Sequence, residues 1–104
     1  METFGISEKS YLLIIEVLKS YPEVEATIIF GSRAKGNYKN GSDIDLALIG
    51  KSLNSKVILD IAGILNEGIS IPYHVDVVNY NSISTPELKE HIDRVGKEFY
   101  RKGC

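Results

Sequence analysis

Two stretches decide the fold, Ala26-Thr27-Ile28-Ile29-Phe30-Gly31-Ser32 and Asp43-Ile44-Asp45-Leu46-Ala47-Leu48-Ile49. The first is a β-branched and aromatic run stopped by a glycine. Such side chains pack well on a pleated surface and crowd a helical turn, so it reads as a buried strand. The second run is a strand closed by Gly50. Side chains alternate along a strand, so Ile44, Leu46 and Leu48 fall on one face while Asp43 and Asp45 share the other. Between the two runs, Ser32 to Ser42 is polar, rich in Gly and Asn, holds Arg33, Lys35 and Lys39, and contains no acid. It reads as a positively charged connector.

Working outward, Tyr11, Ile14, Ile15, Leu18 and Tyr21 recur at three- and four-residue steps, which predicts an amphipathic helix over Ser7 to Ser20, capped by Ser7 and stopped by Pro22. Downstream, Val57, Ile58, Ile61, Ile64 and Leu65 give one apolar face to a helix capped by Ser52 or Ser55, running to about Asn66 and ending at Gly68. A third strand follows at Tyr73 to Val78, with Pro72 at its edge. Thr85 and Pro86 mark the N-cap and first turn of a final helix, whose seam is expected to run through Leu88, Ile92, Val95 and Phe99 with Gly96 weakening it. The fold class is therefore α/β: a small mixed sheet of three or slightly more strands with helices packed on it. The segment from Gly50 to Pro72 is long enough for a helical crossover, so strands two and three are expected to be parallel.

Composition bounds what this sheet can serve. A chain of 104 residues with 43% hydrophobic residues makes one domain, residues 1–104, and buries about 65% of its unfolded surface. With 12 basic and 14 acidic residues the net charge is −2, which argues against holding nucleic acid by bulk electrostatics. The single cysteine, Cys104, excludes an intrachain disulfide and a Cys-based zinc cluster, fits a reducing compartment, and is expected to be an exposed tail residue. Met1 to Ser10 carries Glu2 and Glu8 without an apolar stretch, and the run Leu12 to Ile15 is far short of the ~20 residues that span a bilayer. The chain is expected to be cytoplasmic, with no membrane and no direct nucleic-acid partner.

The chemistry lies in the acids and the glycine. Asp76 stands between Val75 and Val77, on a face shared with His74 and Val78, where a lone aspartate is costly unless compensated. A hard divalent cation would compensate Asp43, Asp45 and Asp76 together, since Mg²⁺ prefers carboxylate oxygens and leaves positions for water and phosphates. Gly31 lets the backbone approach a phosphate closely, Ser32 offers a hydroxyl and an N–H, and Arg33 and Lys35 add charged donors. The connector is neither G-x-G-x-x-G nor a P-loop, so the dinucleotide and Walker-type readings fail. Tyr38 suits either stacking on a base or covering the sheet edge. His74 reads as structural or surface, His91 as exposed, and Arg94, Lys97, Arg101 and Lys102 as a solvated helix end or a basic docking edge.

Phe30-Gly31-Ser32, then ten residues, then Asp43-Ile44-Asp45 resembles the signature of the nucleotidyltransferase superfamily that includes DNA polymerase beta. In particular the chain resembles the minimal nucleotidyltransferases, over nearly its whole length. Lys35, where many relatives have arginine, keeps the charge but loses a bidentate grip. The resemblance implies a polymerase-beta-like core in which Gly31 and Ser32 bind a triphosphate, Asp43 and Asp45 hold metal, and Asp76 joins them beside the attacking hydroxyl. It implies two Mg²⁺ ions about 4 Å apart and transfer of a nucleoside monophosphate, AMP from ATP, to a hydroxyl with release of pyrophosphate. It also implies a small helical partner of the HEPN class in a toxin–antitoxin pair, with a partner tyrosine as acceptor and a homodimer or hetero-oligomer as the working form. Two other readings stay open from the residues. One is nucleotidylation of a small molecule such as an aminoglycoside, and the other a non-catalytic nucleotide-binding module that keeps the motif.

Overall fold

The computed structural model describes residues 3–103, so the expectation for Cys104 lies outside the described residues. In chain order the elements are α1 (Glu8–Lys19), β1 (Ala26–Phe30), α2 (Gly31–Lys35), β2 (Ile44–Ile49), α3 (Ser55–Gly63), β3 (Val75–Asn79), α4 (Pro86–Val95) and β4 (Lys97–Arg101). A π-helical turn, Ile64–Gly68, prolongs α3, and a 3-10 turn, Tyr80–Ser82, follows β3. The sheet has four strands in the order β3-β2-β1-β4. β2 and β3 are parallel, as the expected helical crossover allows, and β1 is antiparallel to both β2 and β4.

Local chemistry sets the ends of the helices. Ser7 Oγ accepts the Ser10 N–H at 3.2 Å and caps α1. For α3 the cap is Asn54, whose Oδ1 accepts the Val57 N–H at 2.9 Å, and not Ser52 or Ser55. Asn54 has extended backbone and an oxygen of the right reach, which leaves Ser55 as the first helical residue.

Both faces of the sheet are covered. Ile44, Leu46 and Leu48 join Ile29, Ile14, Leu18, Ile61, Leu65 and Val75 in the main core beneath α1 and α3. On the opposite face Phe30 and Ala47 pack with Ile92 of α4, supported by Ile28, Val78 and Leu88. Alternation along the strands puts Asp45 and Asp76 on this second face.

The structure corrects the last helix. It ends at Val95, and residues 97–101 pair with β1 as a fourth strand instead of extending the helix to Phe99. Gly96 ends α4 in extended conformation, and a Cβ there would collide with the Ile92 carbonyl oxygen and the Ile28 side chain. Leu88, Ile92 and Val95 therefore face the second side of the sheet, whereas Phe99 belongs to the main core. Phe99 is 3% exposed, its ring lies 4.8 Å from that of Tyr11, and its carbonyl accepts the Tyr11 hydroxyl at 3.0 Å. Phe99→Ala is expected to cost about 3–5 kcal/mol in denaturant unfolding, the range for an aromatic removed from a packed core. A frayed helix end would lose far less. The expected basic helix edge dissolves too: Arg94 pairs with Glu90 at 2.9 Å on α4, while Arg101 pairs with Glu98 at 2.7 Å on β4.

Candidate active site

Three strand ends meet at one place. Phe30, the last residue of β1, is the register partner of Asp45, and Asp45 is the register partner of Asp76 on β3. Gly31 then turns the chain into α2 with φ +73°, a left-handed conformation that side chains resist. It lies so close to β2 that a Cβ on Gly31 would overlap Asp45 Oδ2. The start of β3 is fixed by Asn66 in the π-helical turn. Its Oδ1 accepts the Val75 N–H at 2.8 Å, and its Nδ2 donates to the carbonyls of Val75 and Ala62, each at 2.9 Å. Asp76 follows directly. Its Oδ1 lies 3.0 Å from His74 Nε2, a strand neighbour on the same face.

Asp45 is the most perturbed group of the site. Its carboxyl is pushed up to about 6, first by burial, then by the Asp76 carboxylate through charge and a shared hydrogen bond, then by Asp43, with His74 acting the other way. Like charges are gathered here, and His74, 3.0 Å from Asp76, is the side chain that acts against them. No group of three His, Cys, Asp or Glu side chains among the described residues converges as a ready metal cage. What the chain supplies is the close pair Asp45 and Asp76 flanked by Asp43, and an oxygen-only donor set of this kind fits Mg²⁺.

The remaining expected site residues divide. Ser32 is half-buried in the first turn of α2 beside Gly31, and Lys35 at its end is exposed. Arg33, expected as a nucleotide-binding cation, is turned inward. It is 2% exposed, and its guanidinium donates to the main-chain carbonyls of Phe4, Asn40 and Ser42. The Tyr38 ring faces the Arg33 guanidinium, whose central carbon lies 5.0 Å from the ring centroid. His91 is half-buried and edge-on to Phe30, with ring centroids 6.2 Å apart. Asn66 had no signal in the sequence, because an asparagine near a helix end reads as a simple C-cap.

A two-strand acid pair beneath a left-handed glycine, on a four-stranded mixed sheet, is the architecture of a nucleotidyl-transfer domain. The polymerase beta nucleotidyltransferase family matches residues 13–103, and the chain belongs to that family and is a nucleotidyltransferase. Among curated proteins none matches the chain. Among solved structures, a chain of a toxin–antitoxin complex with AMP-PNP is 26% identical, with TM-score 0.71, over 88% of this chain and 73% of its own. A chain of a mutant MntA–HpeT toxin–antitoxin pair is 27% identical, with TM-score 0.69, over 88% and 72%. A third, from a tri-AMPylated Shewanella oneidensis HEPN toxin in complex with MNT antitoxin, shares the fold at 24% identity and TM-score 0.67, over 91% and 72%. Among the described residues no helix is long and apolar enough to cross a membrane.

Proposed function

We propose that the chain transfers AMP from ATP to a hydroxyl on a protein partner, a tyrosine of a HEPN-type toxin, and so acts as the antitoxin of the pair. The observation that carries this reading is the register-paired Asp45 and Asp76, flanked by Asp43, directly under the Gly31–Ser32 turn. The toxin–antitoxin setting is supported by the similarity to chains of two such complexes, one of them with AMP-PNP. The HEPN class and the tyrosine acceptor come from the resemblance of the motif.

In this reading the main chain at Gly31 and Ser32 lies along the triphosphate, and exposed Lys35 offers it a cation. The acceptor oxygen forms a bond to the α-phosphorus, the bond from that phosphorus to pyrophosphate breaks, and Asp76 takes the hydroxyl proton. Asp43, Asp45 and Asp76 are the residues that would hold Mg²⁺, two ions by the resemblance. When bound, Mg²⁺ neutralises phosphate charge and acidifies the attacking hydroxyl.

The test is labelling with ATP carrying radioactive α-phosphate, in the presence of Mg²⁺ and a HEPN-type toxin protein. Label is expected on the partner band, lost when the acceptor tyrosine is replaced by phenylalanine, and lost with EDTA. Label recovered only in a soluble product such as a modified aminoglycoside would overturn the protein-acceptor reading, and ATP binding with no transfer would overturn the enzymatic one.

A further inference from the structure

The connector between the two halves of the site is held by one buried side chain. Arg33 Nε and Nη2 both donate to the Ser42 carbonyl, at 3.1 and 2.9 Å, a two-pronged grip on one oxygen. Nη2 also donates to the Asn40 carbonyl at 3.3 Å, and Nη1 donates to the Phe4 carbonyl at 3.0 Å. The guanidinium is packed against two rings, with its central carbon 5.0 Å from the Tyr38 centroid and 4.9 Å from that of Tyr73. Among the described ion pairs no carboxylate meets Arg33, so its charge is answered by carbonyl dipoles and aromatic faces.

Its place in the chain gives this arrangement a consequence for the site. Arg33 follows Ser32 directly, and Ser42, which takes the two-pronged grip, directly precedes Asp43. One side chain therefore spans the connector and ties its last peptide back to the turn where it begins. The same guanidinium reaches the N-terminal corner at Phe4 and Gly5, both at positive φ, where a Cβ on Gly5 would overlap the Tyr38 ring.

We propose that Arg33 is a positioning residue that sets the separation between the Gly31–Ser32 turn and the peptide carrying Asp43. The roles of those residues rest on the function proposed above, whereas the coupling through Arg33 rests on the hydrogen bonds alone. Lysine keeps the charge but offers a single compact ammonium in place of a planar fork, so Arg33→Lys breaks the shared hold on Ser42, Asn40 and Phe4.

The experiment compares wild type with Arg33→Lys by amide hydrogen exchange of the apoprotein, Mn²⁺ binding followed by electron paramagnetic resonance, and transfer kinetics. Exchange across residues 37–43 is expected to rise at least about tenfold while β3 and α4 keep their protection. Mn²⁺ affinity is expected to fall roughly three- to tenfold, and kcat to fall more than KM for ATP rises, because a displaced Asp43 harms the reacting geometry more than nucleotide docking. Lys35→Ala is the contrast: it should raise KM for ATP and leave exchange in the connector unchanged. Unchanged exchange in residues 37–43, or a uniform rise over the whole chain, overturns the proposal. So does a loosened connector with unaltered Mn²⁺ affinity in a background where the wild type binds Mn²⁺. If Arg33→Lys does not fold, Tyr38→Ala, which removes one wall of the guanidinium's cage, decides by the same exchange criterion. If wild type neither binds Mn²⁺ nor transfers label, the functional reading fails, and exchange in the connector decides the positioning role by itself.

Discussion

Asp45→Asn abolishes nucleotidyl transfer and, in the metal-free protein, raises stability at neutral pH. The loss of activity is expected to be at least about a thousandfold, since a carboxylate at the centre of the acid cluster is replaced by a neutral amide that binds a hard cation poorly. The gain in stability follows from the sign of the Asp45 shift. Its carboxyl titrates at about 6 in the folded protein against an ordinary 3.8, so the folded state disfavours the charged form. Above pH 6 the folded wild type bears the whole of that penalty, and the penalty is relieved as pH falls from about 6 towards 3.8. Asparagine bears none of it at any pH and can still donate a hydrogen bond to Asp76, so the variant should be more stable by on the order of 1–2 kcal/mol at neutral pH. Urea unfolding of the apoprotein at several pH values checks this: the difference between variant and wild type should shrink as pH falls through that window. Added Mg²⁺ should stabilise wild type and not Asp45→Asn, because a ligand stabilises only the state that binds it. A marked loss of apo stability at neutral pH would make Asp45 a structural residue and remove the argument for a metal site.

The parts of this site that were legible in the sequence are those fixed by strand alternation. Asp43 and Asp45 fall on one face because Ile44, Leu46 and Leu48 need the other, and Asp76 stands out because an aspartate between valines has no packing purpose. The parallel pairing of β2 with β3 fits the length of the crossover, and it brings Asp76 opposite Asp45. What was not legible depends on contacts distant in sequence. Ile92, Val95 and Phe99 are spaced as a helix would space them, yet Phe99 crosses to the main core because Lys97–Arg101 finds the open edge of β1. Arg33 looks like a phosphate ligand in a basic connector, since nothing local reveals that the Phe4, Asn40 and Ser42 carbonyls will converge on it. Asn66 is likewise silent until β3 is in place, because both hydrogen-bonding ends of its amide are used on Val75.

Gly31 is expected to tolerate no side chain, for a reason that joins the two halves of the motif. The sequence suggests that a Cβ would occupy the space where a triphosphate approaches the backbone, and the structure puts Asp45 Oδ2 in that same space. Gly31→Ala thus carries two penalties. One is backbone strain at φ +73°, for which left-handed conformation costs an L-residue roughly 1–2 kcal/mol. The other is displacement of the Asp45 carboxylate, which a shift of about 1 Å turns into a loss of at least a hundredfold in transfer. Gly31→Val should also weaken ATP binding far more than Ser32→Ala, which removes one hydroxyl partner and nothing else. A double-mutant cycle separates the two penalties. In an Asp45→Ala background the carboxylate is gone, so the stability cost of Gly31→Ala should fall to the strain alone. The difference between the two backgrounds then measures the contact between Gly31 and Asp45. An equal cost in both would mean that Asp45 yields freely, and the close fit of the glycine against β2 would have no part in placing the carboxylate.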